Sequence, residues 1–271
     1  MSPPPQRIRT RIWQEEPEPD NPFATRVARC HGFDVYGAMV GRARWVEMLF
    51  LLLRGEPPAP EQARLLEALG VALANPGPRD ASVHAAMCGG VGGSTAASCL
   101  MAALAVGAGQ YGGARDVHAA MQLWQHCGTG LARWREALVP HGGDNDDEPS
   151  GIWPATEHPP GFDPHGVSTP TIVQQALSSL AAAGGGAQLA WLAQEREALE
   201  ALAGCPLAMS GVAAAALADL GFSPEEGEML FLLLRLPGAA AHALEQQRLG
   251  HKQFPFFALE VTGPAREEAL A

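Results

Sequence analysis

Apolar side chains recur at helical spacing along most of the chain, which predicts a series of helices that each bury one face. The clearest early pattern begins near Arg42, ends at Gly55 and is formed by Trp45, Met48, Leu49, Leu52 and Leu53. A second helix is predicted from Pro60 to about Ala74. Proline is favoured in the first turn of a helix, and an Asn-Pro-Gly-Pro sequence stops the pattern after Ala74.

The rest of the chain has the same helical character, interrupted at glycines and prolines. The predicted ranges are about 81–127 with breaks at 89–93 and 109–113, 171–183, 187–203, 224–236 and 239–249. A Ser-Pro-Glu-Glu capping box that begins at Ser223 starts the fourth of these ranges. Pro237 and Gly238 are expected to separate that helix from the last one. Because strand patterns are nearly absent, the sequence predicts an all-α fold.

Two segments do not follow the helical pattern. Residues 1–22 are rich in proline and in charges of both signs, which predicts an extended or disordered N-terminal arm ahead of a helical domain at 23–271. Residues at about 140–168 predict a long loop within that domain. Its acidic residues alternate as calcium ligands do, but the glycine and the distal glutamate of an EF-hand loop are absent. We therefore interpret Asp144, Asp146 and Glu148 as a solvated acidic loop.

Composition and charge exclude several classes of function. The chain of 271 residues carries 18 Lys and Arg against 29 Asp and Glu, a formal net charge of -11, and it has no basic stripe, so nucleic-acid binding is excluded. Five scattered cysteines favour a reducing, cytoplasmic location, and no His or Cys spacing predicts a metal site. The longest strongly apolar run, Val46 to Leu53, is shorter than the ~20 residues of a membrane span, so we expect a soluble protein.

Three segments, which span about 35–250, carry a family resemblance. They are GRARWVEMLFLLLRGEPPAPEQARLL, GPRDASVHAAMCGGVGGSTAASCLMAALAVGAGQYGGARD and GVAAAALADLGFSPEEGEMLFLLLRLPGAAAHALEQ. Together they resemble the citrate synthase superfamily, and most closely the small citryl-CoA lyase type and the citryl-CoA lyase module of ATP-citrate lyase. The resemblance implies a citrate synthase-like helical domain with a reduced small domain, an obligate dimer, and acyltransferase or lyase chemistry on CoA thioesters without a bound cofactor.

The same resemblance assigns catalytic positions, and this chain departs from the family at each of them. The two histidines and the aspartate that polarise the thioester and move its protons fall on Pro76, Pro164 and Ser210. Two carboxylate-binding arginines fall on Val173 and Gln253, whereas Arg235 matches a third. Enolising a thioester needs a base and donors to the enolate oxygen, and each group typically contributes ~10²–10⁴ in rate. The resemblance therefore implies Claisen chemistry that is lost or strongly altered.

Two hypotheses follow. In the first, the chain is a non-catalytic homologue, as a homodimer or paired with a paralogue, and binds an acyl-CoA or an organic acid through Arg235, Gly112 and Gly113. In the second, it is an active CoA-thioester lyase or acyltransferase that uses other residues, the candidates being His84, Asp163 and His165. Convergence of Asp163 and His165 on Arg235 in one cleft would favour the enzyme.

Overall fold

The computed structural model describes residues 9–138, 158–184 and 186–255, and most of this part of the chain is helical. A small antiparallel sheet of β1 (Trp13–Pro17), β2 (Thr25–Cys30) and β3 (Phe33–Asp34) comes first, in the order β1-β2-β3. The helices are α1 (Trp45–Arg54), α2 (Pro60–Leu73), α3 (Ala81–Val91), α4 (Ala96–Gly107), α5 (Ala114–Cys127), α6 (Leu131–Leu138), α7 (Thr171–Ala183), α8 (Ala187–Ala203), α9 (Met209–Asp219) and α10 (Pro224–Leu249). The all-α prediction is confirmed, although it did not include the sheet.

Several helix ends lie where local signals predicted them. Helix α1 is followed by Gly55, whose φ of 78° is a left-handed conformation that glycine adopts without strain. Helix α2 starts at Pro60, as predicted. At the start of α10, the Glu226 N–H donates to the Ser223 hydroxyl at 3.2 Å, and the Glu226 carboxylate accepts from the Ser223 N–H at 2.8 Å. The predicted capping box is therefore present.

The last helix differs from its prediction, because α10 continues through Pro237 and Gly238. Pro237 has no N–H, so the Leu233 carbonyl loses its usual helical donor. The Gly238 N–H donates outside the helix, to the Ala74 carbonyl at the end of α2, at 2.7 Å. A Cβ on Gly238 would lie 2.5 Å from that carbonyl oxygen. Packing against α2 therefore overrides the local tendency of the Pro-Gly pair to end the helix.

Helix α3 also differs, since it continues through Gly90 to Val91 and the predicted break at 89–93 falls at 92–95. Helix α10 passes very close to Gly90: a Cβ there would lie 2.3 Å from the Ala243 carbonyl oxygen. Glycine is needed at this position for close packing of the two helices, not to end α3. The structure also contains a helix, α6, that the hydrophobic pattern did not predict.

Helix α9 is the centre of the main hydrophobic core. Its residues 210–217 are all buried, and α5, α8, α10, α2 and α7 pack around it. Next to it, Trp124, Trp134 and Trp191 form an aromatic cluster in which the first two rings meet edge to face, with centroids 4.8 Å apart. A smaller apolar cluster joins α3, α4 and α10. This packing fixes the start of α9 against α5 and the middle of α10, where the candidate site lies.

The N-terminal arm and the long loop are only partly described. Strand β1, within the predicted arm at 1–22, pairs with β2, so this part of the arm is extended and hydrogen-bonded to the following chain. Residues 139–157, including the acidic residues predicted as a solvated loop, lie outside the described residues. The described remainder of that loop, 158–170, holds an isolated bridge from Phe162 to Leu207. In the ranges that are described, no helix is long and apolar enough to cross a membrane.

Candidate functional site

A cavity of about 670 Å³ lies between α2, α7 and α10, and the α2–α3 loop, the α4–α5 loop and the start of α9 complete its wall. Most of the lining is apolar. Its polar side chains are Asn75, Gln175 and Ser179, and the charged side chains among the described lining residues are Asp80 and Arg235. This combination of apolar walls with a few polar groups is typical of small-molecule sites.

Arg235 lies in the wall of this cavity with only 8% of its surface exposed. Its Nη2 forms an ion pair with the Asp80 carboxylate, and its Nη1 donates to the Gly112 carbonyl at 3.4 Å. The guanidinium also lies over the Phe231 ring, 4.8 Å from the centroid. A buried guanidinium is stable only when it is paired, and Asp80 supplies that pairing within the protein.

Asp80 has two roles. It is the N-cap residue of α3, and its carboxylate accepts from the Ser82 N–H at 3.0 Å. The same side chain holds Arg235, and it remains 26% exposed at the cavity. Asp80 therefore links the start of α3 to the cavity wall.

The two glycines that were predicted to bind ligand shape the cavity wall through their backbone. Gly112 lines the cavity with a φ of 64°, and its carbonyl faces Arg235. Gly113 is the residue before α5 and packs against the chain at the end of α4. A Cβ on Gly113 would lie 2.4 Å from the Gly109 carbonyl oxygen, so no larger residue fits there. These contacts fix the turn at the cavity wall.

The structure brings one of the three residues that the resemblance aligns with catalytic residues directly into the cavity. Pro76 lines it, whereas Ser210 is buried one residue beyond Met209, which also lines it. Pro164 is exposed and is not a lining residue. The two altered arginine positions also lie outside the cavity wall: Val173 is in the core, and Gln253 is exposed in a short 3-10 helix.

The three alternative catalytic candidates do not line the cavity with Arg235. His84 lies on α3, where its ring packs near Phe254 with centroids 5.8 Å apart. Asp163 accepts from the His165 N–H at 2.9 Å and is part of a local turn, and the His165 side chain is exposed. The convergence that would have favoured an enzyme using these residues is therefore not found.

A buried polar cluster next to the cavity was missed by the sequence analysis. Asp116 is 1% exposed, and its Oδ1 accepts from the Gly161 N–H at 3.1 Å. His158 is buried beside it, with Nε2 3.8 Å from the same oxygen, and stacks on Tyr111 with ring centroids 5.3 Å apart. Neither ring nitrogen of His158 forms a hydrogen bond with the described residues.

Burial raises the pKa of Asp116 above its ordinary value, while the Ser210 hydroxyl, the Gly161 N–H and His158 lower it by smaller amounts. A carboxyl group with a raised pKa beside a histidine is a common element of acid-base sites. Asp116 is the last residue of the QYGGARD motif, and this motif was the sequence signal that could have identified it. The proline-rich sequence around His158 contains no comparable signal. No group of three metal-binding side chains occurs in the described ranges.

Comparison with known proteins identifies the fold. No protein-family model and no curated protein sequence matches the chain. Among solved structures, citryl-CoA lyase from Hydrogenobacter thermophilus is similar with a TM-score of 0.70 and 20% identity, over 97% of both chains. ATP citrate lyase from Methanothrix soehngenii, in complex with citrate and coenzyme A, has a TM-score of 0.70 and 21% identity over 99% of this chain.

A mutant of the Methanosaeta concilii ATP citrate lyase, in complex with (3S)-citryl-CoA, is similar at the same TM-score of 0.70 with 20% identity. This chain spans 44% and 43% of the two ATP citrate lyase chains, but nearly all of the citryl-CoA lyase. At these identities the comparison establishes the fold, and it does so over almost the whole chain. The protein therefore has the citrate synthase-like fold of citryl-CoA lyase, as the sequence resemblance predicted.

Proposed function

We propose that this chain binds a CoA thioester, or the organic acid derived from one, in the cavity beside Arg235, and that it does not catalyse Claisen chemistry at the rate of active citrate synthase-like enzymes. The observation that carries the proposal is the cavity wall, which contains Pro76, the residue that the sequence resemblance aligns with a family histidine. A proline ring has neither a donor for an enolate oxygen nor a base. Ser210, at the position of the catalytic aspartate, is no base at neutral pH either.

The binding part of the proposal rests on size, lining and fold. A volume of about 670 Å³ lies within the usual range of roughly 300–1,000 Å³ for ligand pockets. Proteins of the same fold are known in complex with citrate and coenzyme A, and with (3S)-citryl-CoA. The ligand is therefore expected among CoA thioesters and related acids.

A thermal-shift screen with CoA, acetyl-CoA, citrate and oxaloacetate tests binding. A ligand at 100 times its Kd stabilises the native state by about 2.7 kcal/mol, which corresponds to a rise in Tm of roughly 5–10 °C. A thiol-release assay and a citryl-CoA cleavage assay, run on the same preparation, test catalysis. Absence of a shift with all four compounds would reject binding, and turnover near the enzyme median of ~10 s⁻¹ would reject the non-catalytic part.

We also propose that the chain dimerises, with itself or with a paralogue, through the small-residue helices α3 to α5. Helix α4 supports this proposal, because it contains no charged residue and exposes Met101 and Val106 by 60% and 45%. Small side chains let two helices approach closely, and an uncharged exposed face is typical of an interface. All five cysteines are unpaired, as expected in a reducing compartment such as the cytoplasm.

The second candidate is an active lyase or acyltransferase that uses non-standard residues. The observation that favours it is the Asp116–His158 pair, which supplies a carboxyl group next to Ser210. The sequence resemblance aligns Ser210 with the catalytic aspartate of the family. If the cleavage assay detects turnover, Asp116→Asn should abolish it, while His165→Ala, a change on an exposed turn, should leave it intact. Turnover that survives Asp116→Asn would reject the role of Asp116, and absence of turnover in the wild type would eliminate this candidate.

A further inference from the structure

The charge of the cavity is balanced before any ligand binds. Arg235 and Asp80 are the charged side chains among its described lining residues, and they are paired with each other. The guanidinium also donates to the Gly112 carbonyl and lies on the Phe231 ring. Both terminal nitrogens of the guanidinium therefore already have partners within the protein.

A ligand with a free carboxylate would meet an unfavourable field in this cavity. To reach Arg235 it must displace Asp80 or lie beside it. Displacement leaves the Asp80 carboxylate, which is only 26% exposed, without its cation, and coexistence places two carboxylates next to each other. A polycarboxylate such as citrate would bring several charges against a wall whose net charge is zero.

The remaining wall favours an apolar group. Helix α2 contributes Ala68, Val71 and Ala72, and helix α7 contributes Ile172 and Ala176. Val71 and Ile172 are 77% and 66% exposed, so both present apolar surface that a ligand can cover. The polar side chains Asn75, Gln175 and Ser179 are neutral and are suited to a carbonyl or an amide rather than to an ion.

We infer that the cavity holds an uncharged, apolar acyl group of a thioester and selects against acyl groups that carry a carboxylate. This inference rests on the proposed function in its thioester form rather than its free-acid form, and it specifies the acyl part. The Asp80–Arg235 pair is then a specificity determinant: it keeps the arginine from binding a carboxylate of the ligand.

Hexanoyl-CoA and adipoyl-CoA provide a matched test, because their acyl groups have the same length and differ by a terminal carboxylate. Isothermal titration calorimetry should give a Kd for hexanoyl-CoA that is at least roughly tenfold lower than for adipoyl-CoA. From acetyl-CoA to hexanoyl-CoA, each added methylene should lower the Kd about fourfold, with an increasingly negative heat-capacity change. Equal or tighter binding of adipoyl-CoA would overturn the inference and leave the proposed function intact.

Asp80→Asn tests the role of the ion pair. Asparagine is as good an N-cap as aspartate, so α3 keeps its cap while Arg235 loses its counter-charge. The variant should bind adipoyl-CoA at least roughly tenfold more tightly than the wild type does, because the freed guanidinium can pair with the carboxylate, and the preference for hexanoyl-CoA over adipoyl-CoA should fall accordingly. An unchanged preference for hexanoyl-CoA would contradict the role given to Asp80.

A second pair of variants does not depend on Arg235. Ala176→Phe puts a ring into the cavity from α7 and should weaken hexanoyl-CoA binding at least roughly tenfold, whereas Ala193→Phe makes the same change at an exposed position of α8 and should have no effect. Unchanged binding by Ala176→Phe would place the acyl group elsewhere and overturn the inference. If neither free CoA nor any acyl-CoA binds the wild type, the proposed function itself fails.

Discussion

Gly238 is the point at which the long helix α10 holds the loop that carries Pro76. Its N–H donates to the Ala74 carbonyl at 2.7 Å, and Asn75 and Pro76 of the cavity wall follow directly. In Gly238→Ala, the new Cβ would lie 2.5 Å from the Ala74 oxygen and 2.7 Å from the Asn75 Cα, both of which are backbone atoms. The α2–α3 loop must therefore move away from α10.

The size of the effect follows from three contributions. Overpacking against backbone typically costs ~1–3 kcal/mol, and loss or stretching of the Gly238 hydrogen bond costs about 1 kcal/mol more. Replacement of a helical glycine by alanine returns up to about 1 kcal/mol. We expect a net loss of about 2 kcal/mol in the free energy of unfolding and a Tm lowered by roughly 4–8 °C.

Gly70→Ala is a matched control on α2. A Cβ at Gly70 meets only the Leu234 side chain, at an ordinary 3.6 Å, so this variant should gain ~0.5–1 kcal/mol from helix propensity. Chemical denaturation measures both variants, and calorimetric titration measures ligand affinity, which should fall only in Gly238→Ala because its cavity wall has moved. If the two variants have the same stability, the close contact between α10 and the α2–α3 loop is refuted.

Arg235→Met should lower the free energy of unfolding by about 3 kcal/mol. This is the low end for breaking a buried ion pair, because Asp80 keeps 26% of its side chain exposed. Unchanged stability in chemical denaturation would show that the pair is not structural. For Asp116, burial raises the pKa in the folded protein above the ordinary 3.8, so its contribution to stability is present at low pH and is lost as the pH rises through the folded pKa. Asp116→Asn has no such loss, and its stability relative to wild type should increase over that pH window and then level off; a pH-independent difference in denaturation experiments would contradict the raised pKa. The wild type should be a dimer in mass photometry, and Met101→Glu, which adds a charge to the exposed face of α4, should shift it to monomers; a wild-type monomer at micromolar concentration would reject the proposed interface.

Local chemistry made most helix ends predictable from the sequence. Gly55, Pro60 and the Ser223 capping box act on their own few residues, and each works in the structure as expected. Pro237 and Gly238 did not behave as predicted, because their effect depends on a carbonyl of α2 that is more than 160 residues away in sequence. Tertiary contact, rather than propensity, decided the longest helix of the protein.

The candidate site was predictable only in part, for the same reason. The family resemblance selected Pro76, Gly112 and Arg235, and the structure brings these three into one wall. It did not predict that Asp80 would neutralise Arg235, since the two residues are 155 positions apart. It also missed His158, whose buried position beside Asp116 depends on the packing of residues 158–161, which form bends and turns rather than a helix or strand.

The first turn of α9 favours the binding hypothesis over the catalytic one. Met209 lines the cavity, while Ser210, the next residue, is 2% exposed and faces Asp116. Asp116 itself is 1% exposed and is not part of the cavity wall. General-base catalysis requires contact within hydrogen-bond distance, or through one water. Because Asp116 is buried and does not line the cavity, a ligand held there does not meet its carboxyl group in this conformation.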